Sequence, residues 1–329
     1  MTLSLQWRPL PSIPDHEGFA SPFAGVANGA LVVAGGANFP GKRPWEGGTK
    51  IWYDSVFVLE KPDGAWKTAG KLPRPIGYGV ALTTAQGIVC IGGSDSHGHH
   101  ADVFLLTLAD GKAATTPLPP LPQPCANMSG AIVGNTIYIA GGIATPEATT
   151  ALKTLWALDL ANVKAGWREL EPWPGRERML AVAGSCNGSF FLVGGTALHA
   201  GADGKPEREY LHDSFRYTPG QGWRRIADPP RMTVAAPSPA PAVNGRLLVL
   251  GGDDGAQIHS PPPAHRGFPR GVLAYDPKAD AWSAAGEMPV ARVTVPCVEW
   301  RGRFVIPNGE MKPGIRSPEV WTFALPPAH

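Results

Sequence analysis

Glu310 and Arg316 stand on either side of one turn in the stretch Asn308-Gly-Glu-Met-Lys-Pro-Gly-Ile-Arg316. A carboxylate can take or give a proton, and a guanidinium fork can hold an anion. Joined across Pro313-Gly314, the two could set one acid–base group beside one anion clamp; equally, they could form a local salt bridge that shapes the loop. A second set of charges recurs along the chain. Arg74, Arg176 or Arg178, Arg231 and Arg292 each stand roughly 16 to 20 residues before the glycine pair, or its Asn-Gly equivalent, that closes an apolar run. If these positions are equivalent and face a shared centre, their guanidinium groups repel one another unless water, internal carboxylates or an anionic ligand offsets the charge. An acidic ligand and separate pairing with local acids both remain open.

The elements that must position these residues are six copies of one phrase. They are Leu31-Val-Val-Ala-Gly-Gly36, Ile88-Val-Cys-Ile-Gly-Gly93, Ile137-Tyr-Ile-Ala-Gly-Gly142, Phe190-Phe-Leu-Val-Gly-Gly195, Leu247-Leu-Val-Leu-Gly-Gly252 and Phe304-Val-Ile-Pro-Asn-Gly309. The period of about 50 to 57 residues is that of a kelch-type, four-stranded propeller blade and too long for a solenoid turn. The expected fold is therefore all-β, a six-bladed kelch-type β-propeller. Trp66, Trp167, Trp223 and Trp282 mark the outermost strand of four blades, while Leu108-Ala-Asp-Gly-Lys-Ala113 replaces that signal in the second. The sixth repeat lacks a fourth strand at its own end. Thr2-Leu-Ser-Leu-Gln-Trp-Arg8 alternates like one, so residues 2–9 are expected to complete a blade begun by residues 292–325 and close a single domain of residues 1–329.

Strand direction assigns faces. If the glycine-closed strand is second in its blade, its outbound loop and the inbound loop to the innermost strand share one face. The outbound loops are long and irregular: 38–50, 94–100, 196–209, 253–267 and 310–316. Loops of this kind on a rigid ring are where binding is expected. In the position directly after the glycine pair, Ala37, Ser94, Ile143, Thr196 and Asp253 stand where the sixth repeat has Glu310.

Composition narrows the function. A net charge of +2 with interspersed signs argues against a nucleic-acid surface, and no apolar run approaches the length of a membrane span. With no basic-then-apolar leader, the expected location is cytoplasmic, or periplasmic if a leader has been removed. Cys90, Cys125, Cys186 and Cys297 fall in or beside inner strands of different repeats and read as buried thiols. His97, His99 and His100 could suggest a metal, but a glycine-rich histidine cluster without an acidic trio reads as a solvated loop.

Two stretches carry a resemblance. Gly35-Gly-Ala-Asn-Phe-Pro40 through Pro44-Trp-Glu-Gly-Gly-Thr-Lys-Ile-Trp-Tyr-Asp54, together with Asn308 to Arg316, resemble the kelch-like N-acetylneuraminate epimerases, or sialic acid mutarotases. The two pieces sit at opposite ends here, so the chain looks like the cyclically permuted branch of that family, with the resemblance running over essentially its whole length. The resemblance implies interconversion of the α and β anomers of N-acetylneuraminate, an acidic sugar, without metal, nucleotide or redox cofactor. It implies that Glu310 is the catalytic glutamate, taking the anomeric proton, and that Arg316 holds the substrate carboxylate. In the first loop it points to Asn38, Glu46 and Lys50, which could bind ligand or brace the loop. The rival readings are a non-catalytic kelch module that grips a protein or glycan, and a copper oxidase on a related ring, for which no convincing tyrosine, histidine and cysteine set exists.

Overall fold

Each glycine pair sits where the next blade presses on the chain. In the computed structural model, which describes residues 5–325, Gly35 and Gly36 have φ of 66° and 93°, and the other pairs repeat this left-handed step. A Cβ on Gly35 would lie 2.3 Å from the Ile76 carbonyl oxygen of the following repeat, so the pair is a steric requirement of blade-to-blade contact. The sixth copy has Asn308 at φ 70°, a residue that tolerates this region, and its Oδ1 accepts from the Phe19 amide at 3.3 Å.

Six four-stranded antiparallel sheets follow, forming a six-bladed β-propeller. Blade 1 comprises Phe23–Ala27, Ala30–Ala34, Ser55–Leu59 and Lys67–Lys71; blade 2 comprises Val80–Thr84, Gly87–Ser94, His99–Ala109 and Lys112–Leu118. Blade 3 is Ser129–Val133, Thr136–Ala140, Leu155–Asp159 and Arg168–Leu170, and blade 4 is Val182–Cys186, Ser189–Val193, Ser214–Thr218 and Gly222–Ile226. Blade 5 is Ala242–Val243, Arg246–Leu250, Gly271–Asp276 and Ala281–Glu287. Blade 6 takes Val298–Trp300, Arg303–Pro307 and Val320–Ala324 from the C-terminal end and Gln6–Leu10 from the N-terminal end. That closing strand pairs Gln6 with Ala324 and Leu10 with Val320. It is shifted toward the C-terminus relative to the expected span 2–9, of which residues 2–4 lie outside the described residues.

The core lies between blades, not at one centre. Val182, Phe191 and Val193 of blade 4 pack with Leu247, Val249 and Tyr275 of blade 5, and equivalent clusters fill the other junctions. The four cysteines are free and buried, and burial pushes the Cys90 thiol up.

The outer-strand tryptophans staple neighbouring blades. Trp66, Trp167, Trp223 and Trp282 donate from Nε1 to the carbonyl oxygens of Pro11, Pro119, Glu171 and Ala227 at 2.7 to 2.9 Å, each just past the outer strand of the blade before. Trp7, in the closing strand, has a buried Nε1 without an acceptor. Trp223→Phe keeps most of the ring's contacts with Phe190 and Phe215 but removes one staple. It is expected to lower stability by about 1 kcal/mol, read as a lower denaturant midpoint at unchanged slope; an unchanged midpoint refutes the staple.

The inbound loops meet at the axis in a closed circle of amides. Ser21 N donates to Thr294 O, Thr294 to Ala235, Ala235 to Leu180, Leu180 to Asn127, Asn127 to Tyr78 and Tyr78 back to Ser21, at 2.6 to 3.0 Å. Each blade contributes one residue, and all six have φ between 43° and 62° although none is glycine. Such backbone is costly, above all for β-branched Thr294, and persists because the ring fixes it from both sides.

Candidate functional site

The amide circle is the floor of a mouth on one face of the ring. Just past each glycine pair, one residue bridges the inbound segment of the same blade: Ala37 with Ala20, Ser94 with Gly77, Ile143 with Ala126, Thr196 with Met179, Asp253 with Val234 and Glu310 with Val293. Inbound and outbound loops therefore share the face expected from strand direction. Three outbound loops rise as two-stranded ribbons, Ala37–Asn38 with Ile51–Trp52, Thr196–Ala200 with Pro206–Tyr210, and Glu310–Lys312 with Ile315–Arg316.

On the third ribbon Glu310 and Arg316 are cross-strand partners. Glu310 Oε1 lies 3.0 Å from Arg316 Nη1 and accepts from the Gly314 amide at 2.7 Å, while Oε2 accepts from Thr294 Oγ1 at 3.1 Å. The Arg316 side chain is 5% exposed and lies 4.8 Å from the Phe39 ring centroid. Its Nε and Nη1 hydrogens align with no acceptor, so charge and ring stacking hold the group. A cavity of about 650 Å³ opens beside the pair, with Lys50, Arg208 and Asp253 on its walls and Tyr78, Asn127, Leu180, Ala235 and Thr294 of the floor beneath.

Lys50 carries the unengaged charge. Its Nζ lies 4.9, 5.3 and 5.9 Å from the ring centroids of Tyr78, Trp52 and Phe39, with no carboxylate at ion-pair distance among the described residues. Three ring faces stabilise the ammonium and leave it open to an anion. Across the cavity Tyr210 donates to Asp253 Oδ2 at 2.5 Å, and the Gly255 amide donates to Oδ1 at 3.0 Å. Burial first, and then this carboxylate, push the Tyr210 phenol up.

The recurring arginines do not converge here, which corrects that expectation. Arg178 is fully buried between Trp173 and Phe215; it grips both Asp213 carboxylate oxygens at 2.9 and 3.0 Å and the Gly194 carbonyl oxygen at 2.8 Å. Arg231 donates to the Gly251 and Gly271 carbonyl oxygens, and Arg292 to Ser317 Oγ and Glu319. Each secures the crossing after its own glycine-closed strand. Arg74 and Arg176 are half-exposed, the former beside His100 and Asp102 and the latter beside Glu177 and Glu209. Of the three first-loop candidates, Lys50 alone lines the mouth, beside Phe39, Pro44 and Trp45 of the same loop. Asn38 is buried, bonded to Asp15, the Gly18 carbonyl and Tyr53; exposed Glu46 accepts from the Arg43 amide and braces the loop.

His100 lies 2.8 Å from Asp95 and His97 is exposed. Among the described residues no three His, Cys, Asp or Glu side chains gather as a metal site would need. The residues missed from sequence are Tyr78, Asn127, Arg208 and Asp253. Asp253 had a signal, because it fills in blade 5 the post-glycine position that Glu310 fills in blade 6. The floor residues had none beyond their place just before each inner strand.

Residues 2–115 match the family model described as N-acetylneuraminate epimerase. Named N-acetylneuraminate epimerases align with the chain at 42% identity over 115 residues from Brucella suis, 36% over 111 residues from Yersinia pestis and 36% over 116 residues from Salmonella enteritidis. These alignments cover 32, 29 and 32% of this chain and 29, 27 and 30% of the relatives, so the chain spans less than a third of the length of the curated relatives it matches. The matched segment contains the Lys50 loop and Tyr78; Glu310 and Arg316 lie outside it. Over about the first third of its six-bladed ring, the chain is similar to the N-acetylneuraminate epimerases.

Proposed function

We propose that the mouth binds a sugar acid of the N-acetylneuraminate kind and interconverts its α and β anomers by acid–base ring opening. The observation that carries this reading is a carboxylate held by two hydrogen-bond donors and an ion pair on the wall of a cavity that also presents an ammonium without an ion-pair partner among the described residues. Glu310 takes the proton of the anomeric hydroxyl as the bond from the anomeric carbon to the ring oxygen breaks. The ring oxygen takes a proton from a second donor, either water or the protonated form of Asp253, the other carboxyl group on this cavity's described lining. The open keto form turns its carbonyl, and the same transfers in reverse close the ring on the other face. Atoms and charge balance without an oxidant or reductant.

The anion clamp is assigned to Lys50 with Arg208, because Arg316 is already spent on Glu310 and acts as its positioning residue. A sheltered charge-assisted contact contributes about 1.5–3 kcal/mol. Lys50→Met is therefore expected to raise KM by about ten- to a hundredfold with a smaller effect on kcat. An unchanged KM removes Lys50 from the clamp.

The reading itself is tested by adding the protein to freshly dissolved N-acetylneuraminate and following anomer exchange by proton NMR. Exchange faster than buffer supports it; exchange at the buffer rate refutes it. Saturable binding without exchange would favour a glycan-binding module.

A further inference from the structure

The chemistry above uses only half of the mouth. Glu310, Asp253 and Arg316 border the lobe over blades 5, 6 and 1, whereas a second lobe of about 510 Å³ lies over blades 2, 3 and 4. The two meet at a neck, because Lys50, Tyr78, Asn127 and Arg208 line both. The second lobe has two kinds of wall. Ile143, Met179 and Leu198, all nearly fully buried, form an apolar cluster with Ala148 packed against it. Opposite chemistry comes from Asp95, His99 and Glu147, and both His99 ring nitrogens are buried without a hydrogen-bond partner. Unsatisfied buried polar atoms are costly, and an apolar wall beside them suits a ligand arm that carries both a methyl group and several polar atoms.

Resting on the epimerase reading, we propose that this lobe is the subsite for the acetamido group and polyol arm of the sugar acid. In N-acetylneuraminate the acetamido-bearing carbon lies across the six-membered ring from the anomeric carbon, and the three-carbon polyol arm is on the next carbon. With the anomeric carbon beside Glu310, both substituents point through the neck into the second lobe. The acetamido methyl then lies on Ile143, Met179 and Leu198, and the hydroxyls meet Asp95, His99 and Glu147.

The test compares N-acetylneuraminate with its analogue bearing a hydroxyl in place of the acetamido group, by NMR anomer exchange. Wild type is expected to favour the acetylated sugar by about tenfold or more in kcat/KM, the scale of one methyl-sized fit. Ala148→Phe, which fills the lobe, is expected to bring that ratio close to one. Glu147→Gln, at an exposed position with little packing role, is expected to raise KM for the acetylated sugar by about threefold or more, and it serves if the first variant does not fold. Equal rates for the two sugars in wild type, a ratio untouched by Ala148→Phe, or a KM untouched by Glu147→Gln overturns the subsite while the epimerase reading stands. If neither sugar exchanges faster than in buffer, both fall.

Discussion

Glu310→Gln is expected to lower the protein-dependent part of the anomer-exchange rate by about 10²–10⁴-fold, the usual contribution of one positioned acid–base group. The amide preserves side-chain volume, keeps its oxygen as the acceptor for Gly314 N and can donate its NH2 to Thr294 Oγ1, so the ribbon should persist. What it loses is proton affinity and the charge opposite Arg316. The fall should appear in kcat, with KM little changed, since the clamp on the sugar carboxylate is assigned to other residues. Full activity in this variant would leave the mutarotase reading standing and remove Glu310 as its base. Asp253→Asn, run beside it, separates the two carboxyl groups: equal losses indicate a pair that works as one unit, and an unaffected rate assigns the second proton to water.

The largest effect on stability is expected from Asp213→Asn. Arg178 is fully enclosed, its guanidinium stacked between two aromatic rings, and Asp213 supplies its countercharge. Burial pulls the Arg178 pKa down, with Asp213 opposing that shift. Removing the carboxylate leaves a buried cation with only neutral acceptors, a loss of about 3 kcal/mol, at the lower end of the range for broken buried pairs because the amide oxygen and the backbone carbonyls of Gly194 and Asp213 still accept hydrogen bonds. Arg176→Ala, two residues earlier, breaks contacts with Glu177 and Glu209 that are largely solvated, and should cost under about 1 kcal/mol. Denaturant midpoints of the two variants check the contrast. Comparable losses would mean that burial does not distinguish these arginines.

That contrast explains what could be read from sequence. The glycine pairs announce themselves because a left-handed step under a neighbour's carbonyl admits little else, and the tryptophans because each must reach the blade before it. Glu310 and Arg316 were legible as a pair, since one turn brings them face to face. The arginine series was misleading because similar spacing merged two different positions. Arg178 and Arg292 lie two residues before the floor residues Leu180 and Thr294, whereas Arg74 and Arg231 lie four before Tyr78 and Ala235. Arg231 still reaches the carbonyls of Gly251 and Gly271, as Arg178 reaches those of Gly194 and Asp213. Selection for a strand-crossing clamp leaves the same trace as selection for an anion. Arg208 was hidden for another reason: its ribbon folds back over the mouth, and nothing local in Pro206–Tyr210 encodes the direction.

The circle of six amides also governs traffic. With the bore narrowed at its centre to a cavity of about 70 Å³ ringed by those six residues, the vestibule is a cul-de-sac for a sugar, which must pass back over the threshold it crossed on arrival. Such plumbing would hinder a reaction that releases two fragments in sequence. It suits one in which a single molecule goes in, turns over a stereocentre and comes out with the same formula.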